Sequence, residues 1–199
     1  SKCIQELKAN LVPVQRMSIS LGIKADLSKY PYCCIFPLEK PFEYAGREYT
    51  EIRIFNYGGY KDHAPEGCSS ITSILIGDSY NFWKEAKEKG EYKAKKEELA
   101  KIFTEKLQEL MPETKNNIEV VDVATPLTFE RYCSSYQGSW MSVWQKNSPK
   151  VSYPQSLPEI KGTYFVGQRI SMPGGLPLAA YSGRTAIQHL CRDTDTIFV

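Results

Sequence analysis

The run SITSILIG at residues 70–77 is the most β-branched stretch of the chain, and DSYNFWKEA at 78–86 follows it without a break. Branched side chains pack well on a pleated surface, so the run predicts the central strand of a sheet. Beyond it the period changes. Asp78 or Ser79 can cap a helix, Phe82, Trp83 and Ala86 form a short helical stripe, and Gly90 ends it. A second helix is expected from Tyr92 to Met111. Leu99, Ile102, Phe103, Leu107, Leu110 and Met111 fall on one of its faces, and Pro112 stops it.

Working outward, Val12, Val14, Met17, Ile19, Leu21 and Ile23 alternate and predict one strand, with a slip between Val14 and Met17 that marks either a bulge or the strand's start. Pro31, Pro37 and Pro41 surround a short or edge strand at residues 33–36, because proline cannot donate to a ladder. Ile52 and Ile54 alternate with Glu51 and Arg53, and residues 118–123 form another short strand. Strands suited to hairpins with few helices indicate an α+β fold with a mainly antiparallel sheet.

Composition narrows the function. Of 199 residues, 42% are hydrophobic, enough to close a core and to exclude a disordered tail. The net charge of +2 gives no electrostatic grip on nucleic acid or an acidic membrane leaflet. The mixed Lys/Glu run at 84–101 reads as a solvated helix face. No apolar stretch approaches the roughly 20 residues of a transmembrane helix. The first residues show no signal-peptide pattern, although the chain starts with Ser1 rather than Met. The six scattered cysteines suggest reduced thiols and a cytoplasmic setting, and His63 and His189 form no ligand cluster with them, so no metal site is expected. His63 reads as an exposed loop residue and His189 as a cap at a helix end.

The most informative segment is GTYFVGQRISMPGGLPLAAYSGRTAIQHLCR at residues 162–192. It reads as a strand over 163–166 closed by Gly167, a loop, and a helix opened by Gly174 and Gly175, with Ala179, Ala180, Gly183, Ala186, Ile187 and Leu190 as a close-packing face. Unpaired amides and the positive end of the helix dipole then point at whatever precedes the helix. A tight α/β turn would use the same residues. Upstream, Tyr132, Tyr136, Trp140, Met141 and Trp144 form an aromatic cluster that suits either the wall of an apolar channel or the core of a loop-rich subdomain.

The order of residues in G-Q-x4-P-G-G-L-P-x-A-A-x-S-G-R-x-A-I-Q resembles the carboxyl-terminal flavin motif of the phytoene desaturase-related FAD oxidoreductases, within the amine-oxidase-type flavoproteins. These include carotenoid desaturases, carotenoid isomerases and retinol saturase-like enzymes. Ala64-Pro65-Glu66-Gly67, the run VVDVATPLT at 120–128, and Gly138-Ser139-Trp140 agree with that family. The resemblance implies a substrate-binding domain over 1–160, the last strand, glycine turn and helix of an FAD domain over 161–193, and a tail over 194–199. It implies FAD as cofactor, contacted by Gly167, Gln168, Pro173, Gly174, Gly175 and Leu176. Gln168 stands where relatives often carry an acidic residue for the ribityl hydroxyls. The resemblance also implies an apolar conjugated substrate against Tyr132, Tyr136, Trp140 and Trp144, with hydride passing to or from flavin and no protein residue catalytic in itself.

The strand–GxGxxG–helix unit that grips the ADP pyrophosphate in that family does not occur in these 199 residues. The chain is therefore expected to be inactive without a dinucleotide-binding half supplied elsewhere. The alternative is a non-catalytic module that keeps the apolar pocket or serves assembly. The unpaired edge of a strand at 163–166 would then favour a homodimer or swapped strand.

Overall fold

The computed structural model describes residues 2–148, 153–157, 159–170 and 174–197. In chain order the elements begin with α1 (Lys2–Asn10), β1 (Leu11–Val14), β2 (Arg16–Ile23), β3 (Cys33–Tyr44), β4 (Arg47–Asn56) and β5 (Ser69–Ile76). They continue with α2 (Tyr80–Glu88), α3 (Tyr92–Leu110), β6 (Ile118–Ala124), α4 (Pro126–Cys133), β7 (Met141–Trp144), β8 (Ser156–Leu157), β9 (Ile160–Tyr164) and α5 (Leu176–Asp193). The chain forms two compact units, Val14–Trp140 and Ser1–Pro13 with Met141–Val199. The architecture is α+β with antiparallel strand pairing, as the alternation of the strands requires.

In the Val14–Trp140 unit one five-stranded sheet has the order β3-β4-β5-β2-β6, and the SITSILIG strand is central. β2 and β5 pair residue for residue, from Arg16 opposite Ile76 to Ile23 opposite Ser69. Alternation sends Met17, Ile19, Leu21 and Ile23 of β2, Ile71 and Leu75 of β5, and Ile52 and Ile54 of β4 to one face. There they are buried with Trp83 of α2 and Leu99, Phe103 and Leu107 of α3. Each such side chain contributes about 1.5–3 kcal/mol by leaving water. The opposite face carries Ser18, Ser20, Thr72, Ile74, Ile76, Arg53 and Phe55, and it is only partly buried. That partly buried face positions a candidate site.

Three expectations change. The slip between Val14 and Met17 marks a strand's start rather than a bulge: the alternating stretch is β1 and then β2, broken at Gln15, whose side chain is buried. Its Oε1 accepts the amides of Ser79 (2.9 Å) and Tyr80 (2.7 Å). Gln15, not Asp78 or Ser79, therefore satisfies the start of α2, and the Ser79 hydroxyl makes no side-chain cap bond. Gln15→Leu is expected to leave two amides unpaired in a buried setting and lower unfolding stability by about 2–4 kcal/mol, whereas Gln15→Glu, which keeps the acceptor, retains most of it. Urea unfolding followed by circular dichroism checks this.

The strand expected over 33–36 does lie at a sheet edge, but it is β3, 12 residues long. Its register shifts between Pro37 and Phe42, so the prolines are accommodated by the edge position and an irregularity rather than by ending the strand. α4 was not expected. Thr125 and Thr128 form a reciprocal capping box around Pro126, which occupies the first turn, where no amide is needed.

In the other unit β1 pairs with β7, β8 with β9, and α5 runs 18 residues. The strand expected over 163–166 is β9, shifted toward the amino terminus and already paired with β8. Phe165 follows it, its amide bonded to the Gln155 carbonyl at 2.7 Å. No helix among the described residues is long and apolar enough to cross a membrane.

Candidate functional site

Two places concentrate chemistry, one in each unit. In the unit containing α5, Gly174 (φ 90°) and Gly175 (φ 97°) occupy left-handed backbone, which places glycine immediately before Leu176. Gly175 is the N-cap and has no side chain to satisfy the first amides of α5, while Pro177 in the first turn has none to offer. The amides of Leu176 and Leu178 are thus directed ahead of the helix with the positive pole of an 18-residue dipole behind them. Among the described residues a Cβ added at Gly175 would meet only Pro177 Cδ, at 3.9 Å, so no described side chain crowds that glycine.

Gly167 is held to the same helix. Its amide donates to Ser182 Oγ at 2.9 Å, and Ser182, fully buried, donates to the Ala179 carbonyl at 2.7 Å. Ser182 is therefore more than a small packing residue: it fastens the end of the strand to α5. Gln168 is exposed, and Leu176 is 86% exposed. Pro173 lies outside the described residues. Arg184 sits on the exposed side of α5. His189 lies near the helix end beside Asp193, whose carboxyl is held below its ordinary range by hydrogen bonds from Tyr164 and Arg192.

Along α5, Leu176, Ala180, Gly183, Ile187 and Leu190 recur at helical spacing. Leu176, Ala180, Ile187 and Leu190 are exposed, while Ser182 and Ala186 of the adjoining stripe are buried. An added Cβ at Gly183 meets nothing within 4 Å. Gly183→Ala is accordingly expected to stabilise this chain on its own by about 0.5–1 kcal/mol through helix propensity. A loss of stability in thermal unfolding would show that the stripe is covered.

The second place is a groove of about 350 Å³ on the open face of the sheet, within Val14–Trp140. Phe55, Ile74, Ile76 and Trp140 give it an apolar floor, and Arg47, Glu48, Glu51 and Arg53 a charged rim. Of the four aromatic residues expected to contact substrate, Trp140 lines this groove. Tyr132 and Tyr136 are 75% and 72% exposed, Tyr132 beneath the Arg131 guanidinium, so neither is core. Trp144 belongs to β7 in the other unit. No ring pair joins two of the four among the described residues.

A different aromatic group, not anticipated, continues the groove. Tyr32 packs against Phe55, Tyr57 and Tyr60 with centroids 5.6–5.8 Å apart. His63, exposed as expected, stacks on Tyr57 at 5.3 Å with ring planes 3° apart. Phe55 belongs to both the cluster and the groove, so an aromatic strip runs along one end of the open face.

Over 183 residues, 89% of the chain, the sequence is 29% identical to chloroplastic prolycopene isomerase of Daucus carota. The chain is similar to a prolycopene isomerase. The match occupies only 29% of the carrot protein, so the chain spans less than a third of that relative's length. No family model matches the sequence.

Proposed function

We propose that this chain is the carboxyl-terminal part of an FAD-dependent oxidoreductase acting on an apolar, conjugated, carotenoid- or isoprenoid-like substrate. The distant similarity to prolycopene isomerase supports a relationship to that class of enzyme. The observation that carries the reading is the glycine corner, where α5 starts after Gly174 and Gly175 without a side-chain cap and no described side chain crowds Gly175. Open backbone donors at a long helix's amino terminus fit the carbonyl edge of a flavin ring. In this reading residues 161–193 derive from the FAD domain and Val14–Trp140 is the compact body of the substrate domain.

FAD, when bound, supplies the hydride acceptor or donor. The chain's own residues have simpler tasks. The amides of Leu176 and Leu178, with the α5 dipole behind them, hold negative charge at the corner. Ser182 keeps Gly167 against α5, and the Gln168 side-chain amide offers a donor and an acceptor to sugar-like hydroxyls. Phe55, Ile74, Ile76 and Trp140 orient an apolar chain by dispersion and exclude water from it. No side chain is assigned a proton-transfer step.

The exposed stripe of α5 is the surface we assign to the dinucleotide-binding half. Co-expressed with that half, the chain is expected to elute with it as one complex in size-exclusion chromatography, and Ile187→Glu to separate the two. A chain that elutes alone in both cases argues instead for the second reading, an apolar-ligand or assembly module. That reading draws on the groove, whose lining lies wholly within Val14–Trp140 and so does not depend on the corner.

A further inference from the structure

Arg16 is a half-buried cation whose ring contacts are well defined and whose hydrogen bonding is not. Its guanidinium carbon lies 5.0 Å from the ring centroids of both Phe129 and Trp140. Its Nε is buried and has no hydrogen-bond partner. Among the described residues no carboxylate lies within ion-pair distance of it. Glu130, on the same helix as Phe129, has both oxygens engaged by the Tyr80 hydroxyl, at 3.0 and 3.1 Å. Burial pushes the Arg16 guanidinium below its ordinary pKa, and the ionisable neighbour it feels is Cys133. Arginine stays charged even so.

A half-desolvated charge with no counter-ion among the described residues is an arrangement that folded proteins avoid unless something else completes it. Aromatic faces compensate part of the charge but accept no in-plane hydrogen bond. Two rings that fix the guanidinium leave its N–H edge as a preorganised fork, the geometry that recognises a carboxylate in bidentate fashion.

The position of this fork relative to the groove follows from strand register. Arg16 pairs directly with Ile76, so the two side chains share the open face of the sheet. Ile76 and Trp140 both line the groove, and Trp140 is also one of the rings beneath Arg16. Apolar floor and oxyanion receptor are therefore adjacent and share a wall.

We propose that Arg16 receives the carboxylate of an apolar, conjugated chain lying in the groove, so that the ligand is an amphipathic acid rather than a plain hydrocarbon. This rests on reading the groove as the seat of the apolar ligand and adds the polar end that the hydrocarbon reading lacks. One guanidinium of unit charge balances a monoanion, which favours a carboxylate over a phosphate dianion.

The test is quenching of tryptophan fluorescence in the full 199-residue chain by all-trans-retinoate and by all-trans-retinol, which share a polyene and differ in the terminal group. The wild-type chain is expected to bind retinoate about tenfold or more tighter than retinol. Arg16→Gln is expected to abolish the preference by weakening retinoate alone, and inorganic phosphate in excess to leave retinoate bound. Equal affinities in the wild-type chain overturn the proposal whether or not the variant folds. A preference that survives Arg16→Gln, or displacement of retinoate by phosphate, overturns it too. Retinol bound without preference removes only the Arg16 assignment, whereas failure to bind either retinoid removes the groove reading as well.

Discussion

Gly138→Ala is expected to destabilise the Val14–Trp140 unit by more than about 3 kcal/mol. Gly138 has φ 61°, and a Cβ there would lie 1.9 Å from the Pro126 carbonyl oxygen and 2.6 Å from its Cα. These are backbone atoms, so no rotamer change relieves the clash. Nor can Pro126 retreat easily, since it sits in the first turn of α4 under the Thr125–Thr128 capping box. Gly46 makes the control. Its φ is 76°, but an added Cβ meets nothing within 4 Å, so Gly46→Ala carries only the left-handed penalty of about 1–2 kcal/mol. Paired urea titrations separate the two contributions, and a Gly138→Ala cost no larger than that of Gly46→Ala would refute the close approach. The consequence extends to the groove: the chain passes from Gly138 to Trp140, whose amide donates to the Val14 carbonyl at 2.8 Å. Displacing Gly138 therefore displaces both the groove wall and the ring beneath Arg16.

Trp83→Ala is expected to cost about 3–5 kcal/mol, the range for emptying a large core site. Trp83 is completely buried, with the rings of Phe82, Tyr92 and Tyr44 at 5.3, 5.6 and 6.1 Å. It thus joins α2, α3 and β3 in one aromatic contact. Its indole N–H is buried without an acceptor, so the side chain serves by volume and ring contacts rather than by a hydrogen bond. Trp83→Phe should then cost far less, about 1–2 kcal/mol, because it loses part of the volume and also removes an unsatisfied donor. Chemical denaturation of both variants checks this, and equal losses would show that the N–H, not the ring, is what matters.

The fold was legible where the signal is local and periodic. Ser69–Ile76 is rich in β-branched side chains and Tyr92–Leu110 carries a period of 3.6, and these signals place the central strand and the longest helix. Gln15 was not legible as a cap because its partners lie 64 and 65 residues away, and only the slip in alternation at Val14–Met17 hinted that its side chain turns inward. The length of β3 was hidden by Pro37 and Pro41, which read as strand breakers until the strand is known to occupy an edge. α4 had a readable signal in Thr125-Pro126 with Thr128, an N-cap followed by proline at the first helical position.

The candidate sites divide in the same way. Gly174, Gly175 and Leu176 are consecutive in sequence, so their place at the start of α5 could be inferred from order alone, whereas Gly167 is held farther along the helix, at Ser182. The groove could not. Phe55, Ile74, Ile76 and Trp140 come together only once β4, β5 and the loop after α4 are set in register. The aromatic residues clustered in sequence are spread apart, while Tyr32, Phe55, Tyr57, Tyr60 and His63, separated along the chain, are those in contact. Arg16 stands out only through features that are non-local in sequence: its register with Ile76, the two rings beneath it, and the absence of a carboxylate partner among the described residues.

The central claim is that the open corner before α5 takes one edge of a flavin. Its most direct test is the visible absorption spectrum of the chain purified together with the dinucleotide-binding half. A yellow complex showing the bands of bound oxidised flavin, lost when Gly175→Val fills the corner, is the expected result. A stable but colourless complex that takes up no FAD when the cofactor is added would contradict it.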